Sequence, residues 1–203
     1  MNFFYRRACP RTWKGQSWTV SDARPAIAFD LATPAGEDRL RRVCRTCGFV
    51  DYVNPRIVVG SVASAEGKVL LCRRAIEPRL GFWTLPAGFM EEGESLEEAA
   101  KREAREEAMA DLELDGVLAF YSIPRISQVQ VMFRAKLLGP VAPGPESLEV
   151  ALFDWDAIPW KELAFPSVRW SLDHWRATKD APVLIPATNP PGTEAMTRGP
   201  DVR

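Results

Sequence analysis

The chain has 203 residues, 46% of them hydrophobic, and its 26 Lys and Arg nearly balance 27 Asp and Glu, for a formal net charge of −1. That length can bury one sizeable core and fits one main domain with appendages. The charge balance removes any global electrostatic case for nucleic-acid binding, and no apolar run approaches the ~18 residues that a membrane span needs. The start, Met1 to Arg7, lacks the apolar segment of a secretory signal. Cys9, Cys44, Cys47 and Cys72 are too few and too unevenly spaced for a disulfide framework. A cytoplasmic setting is the expectation.

Residues 1–35, rich in Arg, Trp, Pro and Ala without a period, are expected to be irregular. Residues 36–53 carry Val43-Cys44-Arg45-Thr46-Cys47-Gly48, a CxxC-Gly knuckle of the kind that supplies half of a zinc ribbon. A tetrahedral site wants four ligands. Upstream stands only Cys9, and the sole histidine, His174, is remote and reads as a helix-surface or packing residue, so zinc is not expected. Residues 56–63 read as a buried strand, 65–68 as a hairpin turn and 69–72 as the return strand. Residues 83–88 look like a short strand ending in a glycine turn. Ser95-Leu96-Glu97-Glu98 has the Ser-x-x-Glu form of a capping box and starts a helix at Ser95. Leu96, Ala99, Ala100, Ala104 and Ala108 give that helix a narrow side of small residues that can lie close to a sheet.

Further strands are read at 112–114, 117–123, 129–138 and 150–153, and a second helix at 167–178. From residue 181 onward, five prolines with few large apolar residues argue for a disordered tail, 181–203. Mixed strands with two helices fit an α/β sandwich.

The most informative stretch lies between Gly88 and Ala110. Residues 91–107 hold eight glutamates. On a helix Glu103 lies three residues from Glu106 and four from Glu107, so the three carboxylates share one face within a turn. Like charges that close raise one another's pKa unless a cation sits among them. Hard oxygen donors at this density suit Mg²⁺ or Mn²⁺. A solvated Glu/Arg-rich surface helix is the plain alternative.

The spacing Gly88-x5-Glu94-x7-Arg102-Glu103-Ala104-x-Glu106-Glu107 resembles the Nudix box, whose enzymes hydrolyse a nucleoside diphosphate linked to another moiety. One position departs: the box normally has glycine where Met109 stands. If that glycine is a left-handed helix cap, Met109 costs roughly 1 kcal/mol there. Beyond the box, residues 36–179 resemble Nudix hydrolases that carry an N-terminal zinc ribbon, including plant FAD and ADP-ribose pyrophosphatases. The matching stretches include Asn54-Pro55-Arg56, Trp83 to Gly88, Pro143 to Glu149 and Ala164 to Ser167. In that subgroup a first CxxC precedes residue 36, and here it is missing.

The resemblance implies a Nudix-type α/β/α sandwich over 54–180 with a mixed sheet, preceded by a degenerate ribbon-like segment at 36–53. It implies a Mg²⁺- or Mn²⁺-dependent pyrophosphohydrolase with a small-molecule nucleotide substrate and no nucleic-acid or membrane partner, and it leaves a homodimer open. Glu103, Glu106, Glu107 and the Ala87 or Gly88 carbonyl would hold the cation, Arg102 would orient Glu103, and Glu94 would anchor the loop to the helix. The base is either Glu103 or a late glutamate, Glu146 or Glu149.

Substrate walls are sought among Phe82, Trp83, Tyr121 and Phe165, and phosphate partners among Arg73, Arg74, Arg79 and Arg125; Arg73, Phe82, Tyr121 and Glu146 are the substrate-binding candidates. FAD or ADP-ribose is the expected substrate, giving AMP plus FMN or ribose 5-phosphate. The alternatives are an NADH or nucleoside triphosphate pyrophosphohydrolase, or a non-hydrolytic nucleotide-binding regulator. The SQPWPFPxS-like signature of NADH pyrophosphatases is absent after the box, where Tyr121-Ser122-Ile123-Pro124 stands.

Overall fold

The computed structural model describes residues 28–182 and 186–193, and the chain divides into two units, Met1–Asn54 and Pro55–Arg203. In the first, β1 (Phe29–Ala32), β2 (Arg41–Cys44) and β3 (Val50–Asp51) form an antiparallel sheet in that order. Strand β1 falls inside the stretch read as irregular. Four residues are too few to display a period, and what holds them is distant in sequence: the Arg42 guanidinium stacks 4.7 Å from the Phe29 ring, and Arg45 pairs with Asp30 at 2.5 Å. At the knuckle, Gly48 takes φ 71° and its N–H donates to the Cys44 carbonyl. Cys44 is buried and Cys47 exposed. The N–H groups of Cys47 and Thr46 point at the Cys44 sulfur and lower its pKa. Cys9 lies outside the described residues.

The second unit runs β4 (Arg56–Ala65), β5 (Lys68–Arg74), β6 (Trp83–Thr84), β7 (Ala87–Phe89), α1 (Leu96–Ala108), β8 (Leu112–Ile123), β9 (Gln128–Leu137), β10 (Ser147–Phe153) and α2 (Pro166–Thr178). One mixed sheet has the order β10-β5-β4-β9-β8, with β6 added to β5 and β7 to β4. The β4–β9 pair is parallel and the other pairs are antiparallel. The two stretches read separately at 112–114 and 117–123 are one strand, β8, whose register slips between Leu114 and Ala119.

Period-two alternation divides the core. Val62, Val69, Leu71 and Leu118 face α2 through Val168, Trp170, Leu172 and Trp175. Ala63, Leu70 and Cys72 face α1 through Ala104 and Ala108, and Val59, Val131 and Phe133 meet Ala99 and Ala100. Strand β5 is apolar on both faces because both faces are covered, which is why Val69-Leu70-Leu71-Cys72 shows no alternation in the sequence. Its four packing alanines let α1 sit close to the sheet. The result is an α/β/α sandwich.

Two features of this frame position the site. The β4–β5 hairpin turns on Glu66 (φ 51°) and Gly67 (φ 79°), two left-handed residues whose twist suits adjoining strands. Those strands pair only at Ser64↔Val69 and Ala65↔Lys68. Beyond that they part: β6 takes the edge of β5, β7 takes the edge of β4, and Leu85-Pro86 crosses the gap between them.

Within the tail read as disordered, residues 186–193 are seated against the sheet, and 183–185 and 194–203 lie outside the described residues. Ala187 exchanges backbone hydrogen bonds with the outer strand β8, to Leu118 O and from Phe120 N, both 2.9 Å. The Asn189 amide accepts from Ser122 N and donates to Ser122 O. An edge strand offers a row of unpaired N–H and C=O groups, and a segment needs few apolar residues to satisfy them. Arg134, buried in β9, reaches the same region, donating to Thr178 O and Ala181 O at 2.5 and 2.6 Å.

Candidate active site

The acidic helix is fixed at both ends. Ser95 is its N-cap: the hydroxyl accepts from Glu98 N and the Glu98 carboxylate from Ser95 N, the reciprocal pair of a capping box. At the far end Met109 is left-handed (φ 49°, ψ 31°), its N–H bonded to Arg105 O and that of Ala110 to Ala104 O, an αL closure on a residue with a Cβ. The loop before β10 then satisfies the last carbonyls: Gly144 N–H donates to Glu107 O and Ala142 N–H to Ala108 O. Gly144 is required by contact, since a Cβ there would lie 1.7 Å from Glu106 O. That loop continues directly into Glu146.

Arg102 organises the carboxylates. Its Nε and Nη2 grip both oxygens of Glu94 at 2.6 and 3.0 Å, and Nη2 also reaches Phe89 O. Its Nη1 bonds Glu103 at 2.7 Å and Glu106 at 2.9 Å. Glu94 in turn accepts from Glu91 N, tying the loop to the helix. The Arg102 bond lowers the pKa of Glu94.

Glu103 and Glu107 are both about 7% exposed. Burial pushes Glu103 upward against the opposing pull of Arg102. Glu107, whose carboxylate accepts only a 3.3 Å bond from Ala87 N, is raised by burial to about 8. Gly88 admits the cluster: a Cβ there would fall 2.3 Å from Glu103 Oε2. Among the described residues no three acidic, His or Cys side chains are gathered as a ready ion cage. The donor chemistry nevertheless fits a hard divalent cation. Two desolvated carboxylates beside an exposed third carry more negative charge than Arg102 neutralises.

These groups open into a cavity of about 650 Å³ that passes through the gap between the parting strands. On its acidic side lie Ala87, Gly88, Arg102, Glu103, Glu106, Glu107 and Glu146; on the α2 side lie Gln128, Gln130, Met132, Phe165 and Trp170. Arg74 lines it as well, its Nε anchored to Pro78 O at 2.8 Å and its guanidinium 5.3 Å from the Phe165 ring.

Several sequence candidates stand elsewhere. Arg73 faces away from Arg74, bonding Gly81 O and pairing with Glu149 at 3.5 Å, so neither Arg73 nor Glu149 lines the cavity. The parity of β5 distinguishes the two arginines, since Arg74 shares a face with Leu70 and Cys72 toward α1. Phe82 lies under Arg79 (5.1 Å) outside the cavity. Tyr121 is fully buried. Its hydroxyl is 2.7 Å from His174 Nδ1 and its ring packs edge-on to Trp170, so it backs the wall rather than forming it. Trp83 is core. Sequence reading missed Trp170, Gln128 and Gln130; the alternation of Gln128 and Gln130 with Val129 and Val131, ahead of the apolar Met132 and Phe133, was the available signal.

Comparison with known proteins agrees with this geometry. The NUDIX domain matches residues 54–175. The chain is 31% identical over 134 residues to the ADP-ribose pyrophosphatase of Methanocaldococcus jannaschii, covering 64% of this chain and 74% of that protein. It is 35% identical over 133 residues to the NAD-capped RNA hydrolase NudC of Chromobacterium violaceum, covering 63% of this chain but only 49% of that protein. The crystal structure of a NUDIX hydrolase from Nitrosomonas europaea superposes with a TM-score of 0.75 at 43% identity, over 79% of this chain and 93% of the other. The chain belongs to the Nudix family and is a pyrophosphohydrolase of that family.

Proposed function

We propose that this chain hydrolyses the pyrophosphate bond of ADP-ribose to AMP and ribose 5-phosphate, with Mg²⁺ or Mn²⁺ held by Glu103, Glu106 and Glu107. The observation that carries this reading is a single cavity of about 650 Å³ joining the glutamates to an apolar and aromatic wall. That volume lies within the range typical of small-molecule sites, and the two ends suit a pyrophosphate and a base. The similarity to a protein named ADP-ribose pyrophosphatase supports the same substrate.

When bound, a divalent cation neutralises charge on the phosphates and acidifies water. The chain's own residues do the positioning, on which phosphoryl transfer depends heavily. Arg102 fixes Glu103 and Glu106, Glu94 fixes Arg102, and Gly88 leaves room for the Glu103 carboxylate. Arg74, braced by Pro78 O and stacked on Phe165, presents a guanidinium to the phosphates. The proton of the attacking water goes to Glu103 or Glu146, both on the cavity wall. Glu149 is engaged with Arg73.

FAD is the second reading. It shares the AMP half, and Ile76 and Ile126, 40% and 46% exposed on the cavity lining, offer apolar surface that a flavin ring would cover. Product chromatography with ADP-ribose, FAD, NADH and nucleoside triphosphates, with and without Mg²⁺, tests both. AMP with ribose 5-phosphate at the highest kcat/KM supports the proposal. A tenfold preference for a triphosphate replaces the substrate assignment, and no Mg²⁺-dependent turnover of any of them makes the chain a binder.

A further inference from the structure

We infer that Gln128 and Gln130 read the edge of the substrate's purine base, an inference that rests on the AMP half of the proposed substrate. Gln128, Gln130 and Met132 are alternate residues of β9, share one face and all line the cavity. Gln130 Nε2 donates to Gln128 Oε1 at 3.4 Å. An amide has both an acceptor oxygen and a two-hydrogen donor, so one bond between two amides leaves an oxygen on one and an NH₂ on the other.

Neighbouring hydroxyls are already committed: Ser171 donates to Ser167 O at 2.9 Å and Thr84 to Leu85 O at 3.2 Å. The linked amides bring a free oxygen and a free NH₂ together on this wall, beside the apolar surfaces of Trp170 and Ile123. A purine needs that combination: ring faces against apolar side chains, and an edge with a 6-substituent next to a ring nitrogen.

Adenine shows a donor at the 6-position beside an acceptor. On the N1 edge hypoxanthine shows the reverse, an O6 acceptor beside an N1–H donor. Rotating both amides exchanges oxygen for NH₂, so the pair reads either pattern. A purine with no 6-substituent loses one bond in both orientations. The specificity assigned here is for 6-substituted purines rather than for adenine alone.

The test is titration calorimetry of the full chain in Mg²⁺ with AMP, inosine monophosphate and purine riboside 5′-monophosphate. The first two should bind within about threefold of each other and the third about tenfold more weakly, the discrimination expected of one such contact. Of Gln130→Leu and Gln128→Leu, near-isosteric changes on a half-buried wall, the one that removes the amide facing the 6-substituent should reduce that gap to less than about twofold, and the other should weaken all three ligands. The inference is overturned if the unmodified chain binds all three alike, binds none, or keeps the gap in the double variant. Because the readout is mononucleotide binding, a chain that ignores ADP-ribose yet discriminates these ligands refutes the proposed substrate and leaves this inference intact.

Discussion

Gly88→Ala should abolish most turnover while leaving the fold in place. Gly88 pairs with Val59 in β7 at an ordinary φ, so alanine imposes no backbone strain. Its Cβ, however, would lie 2.3 Å from Glu103 Oε2 and 2.5 Å from both Cδ and Oε1. Ordinary contact begins near 3.4 Å, so the carboxylate must retreat by about 1 Å, a misplacement that costs on the order of 10²-fold in rate. In transition-state terms that is about 2.7 kcal/mol. The retreat also breaks the 2.7 Å bond from Arg102 that aims Glu103.

What gives way is a side chain, so the melting temperature should move by no more than about 2 °C, less than 1 kcal/mol for a chain of this size. Mg²⁺-dependent release of AMP from ADP-ribose, alongside a thermal melt, reads both quantities. Turnover within threefold of the unmodified chain would refute the placement of Glu103 at the reacting phosphates. A collapse in melting temperature would show that the position is structural.

Met109→Gly should stabilise the chain by roughly 1 kcal/mol, about 2–4 °C in Tm, because the left-handed cap no longer carries a Cβ and the exposed Met109 side chain gives up little packing; an unchanged or lower Tm counts against the cap argument. Truncation after Asp180 removes the Ala187 and Asn189 bonds to β8 and one carbonyl partner of buried Arg134. It should cost about 2 kcal/mol in urea unfolding, and an unaltered midpoint would show that the strap contributes nothing. Burial lowers the pKa of His174 below its ordinary value near 6.5. The unfolded chain therefore takes up a proton there before the folded one, and stability attributable to this residue falls as pH drops below about 6.5 and is flat above it. His174→Gln should flatten that part of the pH profile, and parallel profiles for the two proteins would refute it.

What could be read from the sequence was whatever depends on local spacing. The capping box at Ser95, the alanine face of α1 and the clustering of Glu103, Glu106 and Glu107 follow from helical periodicity, and each is found where the spacing puts it. Positions fixed by pairing partners far along the chain were not readable. Strand β1 is held by residues of β2 and the turn after it. Residues 186–193 are held by the edge of β8, and proline content says nothing of a neighbour's free hydrogen-bonding groups. The substrate wall failed for the same reason. Tyr121 and Trp170 are both aromatic and both near the cavity, but which one fronts it is decided by how α2 packs on β8.

Arg102 shows why the candidate site tolerates so much buried charge. A lone pair of desolvated glutamates would oppose folding by several kcal/mol or take up protons. Arg102 answers Glu103 but does not touch Glu107; burial raises both carboxyls, and Glu107 is raised to about 8. Neutralising Glu107 by substitution would remove that cost, as would a second arginine. Instead its oxygen faces the Ala87 N–H in a cavity shared with Glu103, Glu106 and Glu146. With its pKa raised to about 8, Glu107 is held largely protonated near neutral pH even though Arg74 draws it down, and a divalent cation held here as proposed would have to displace that proton.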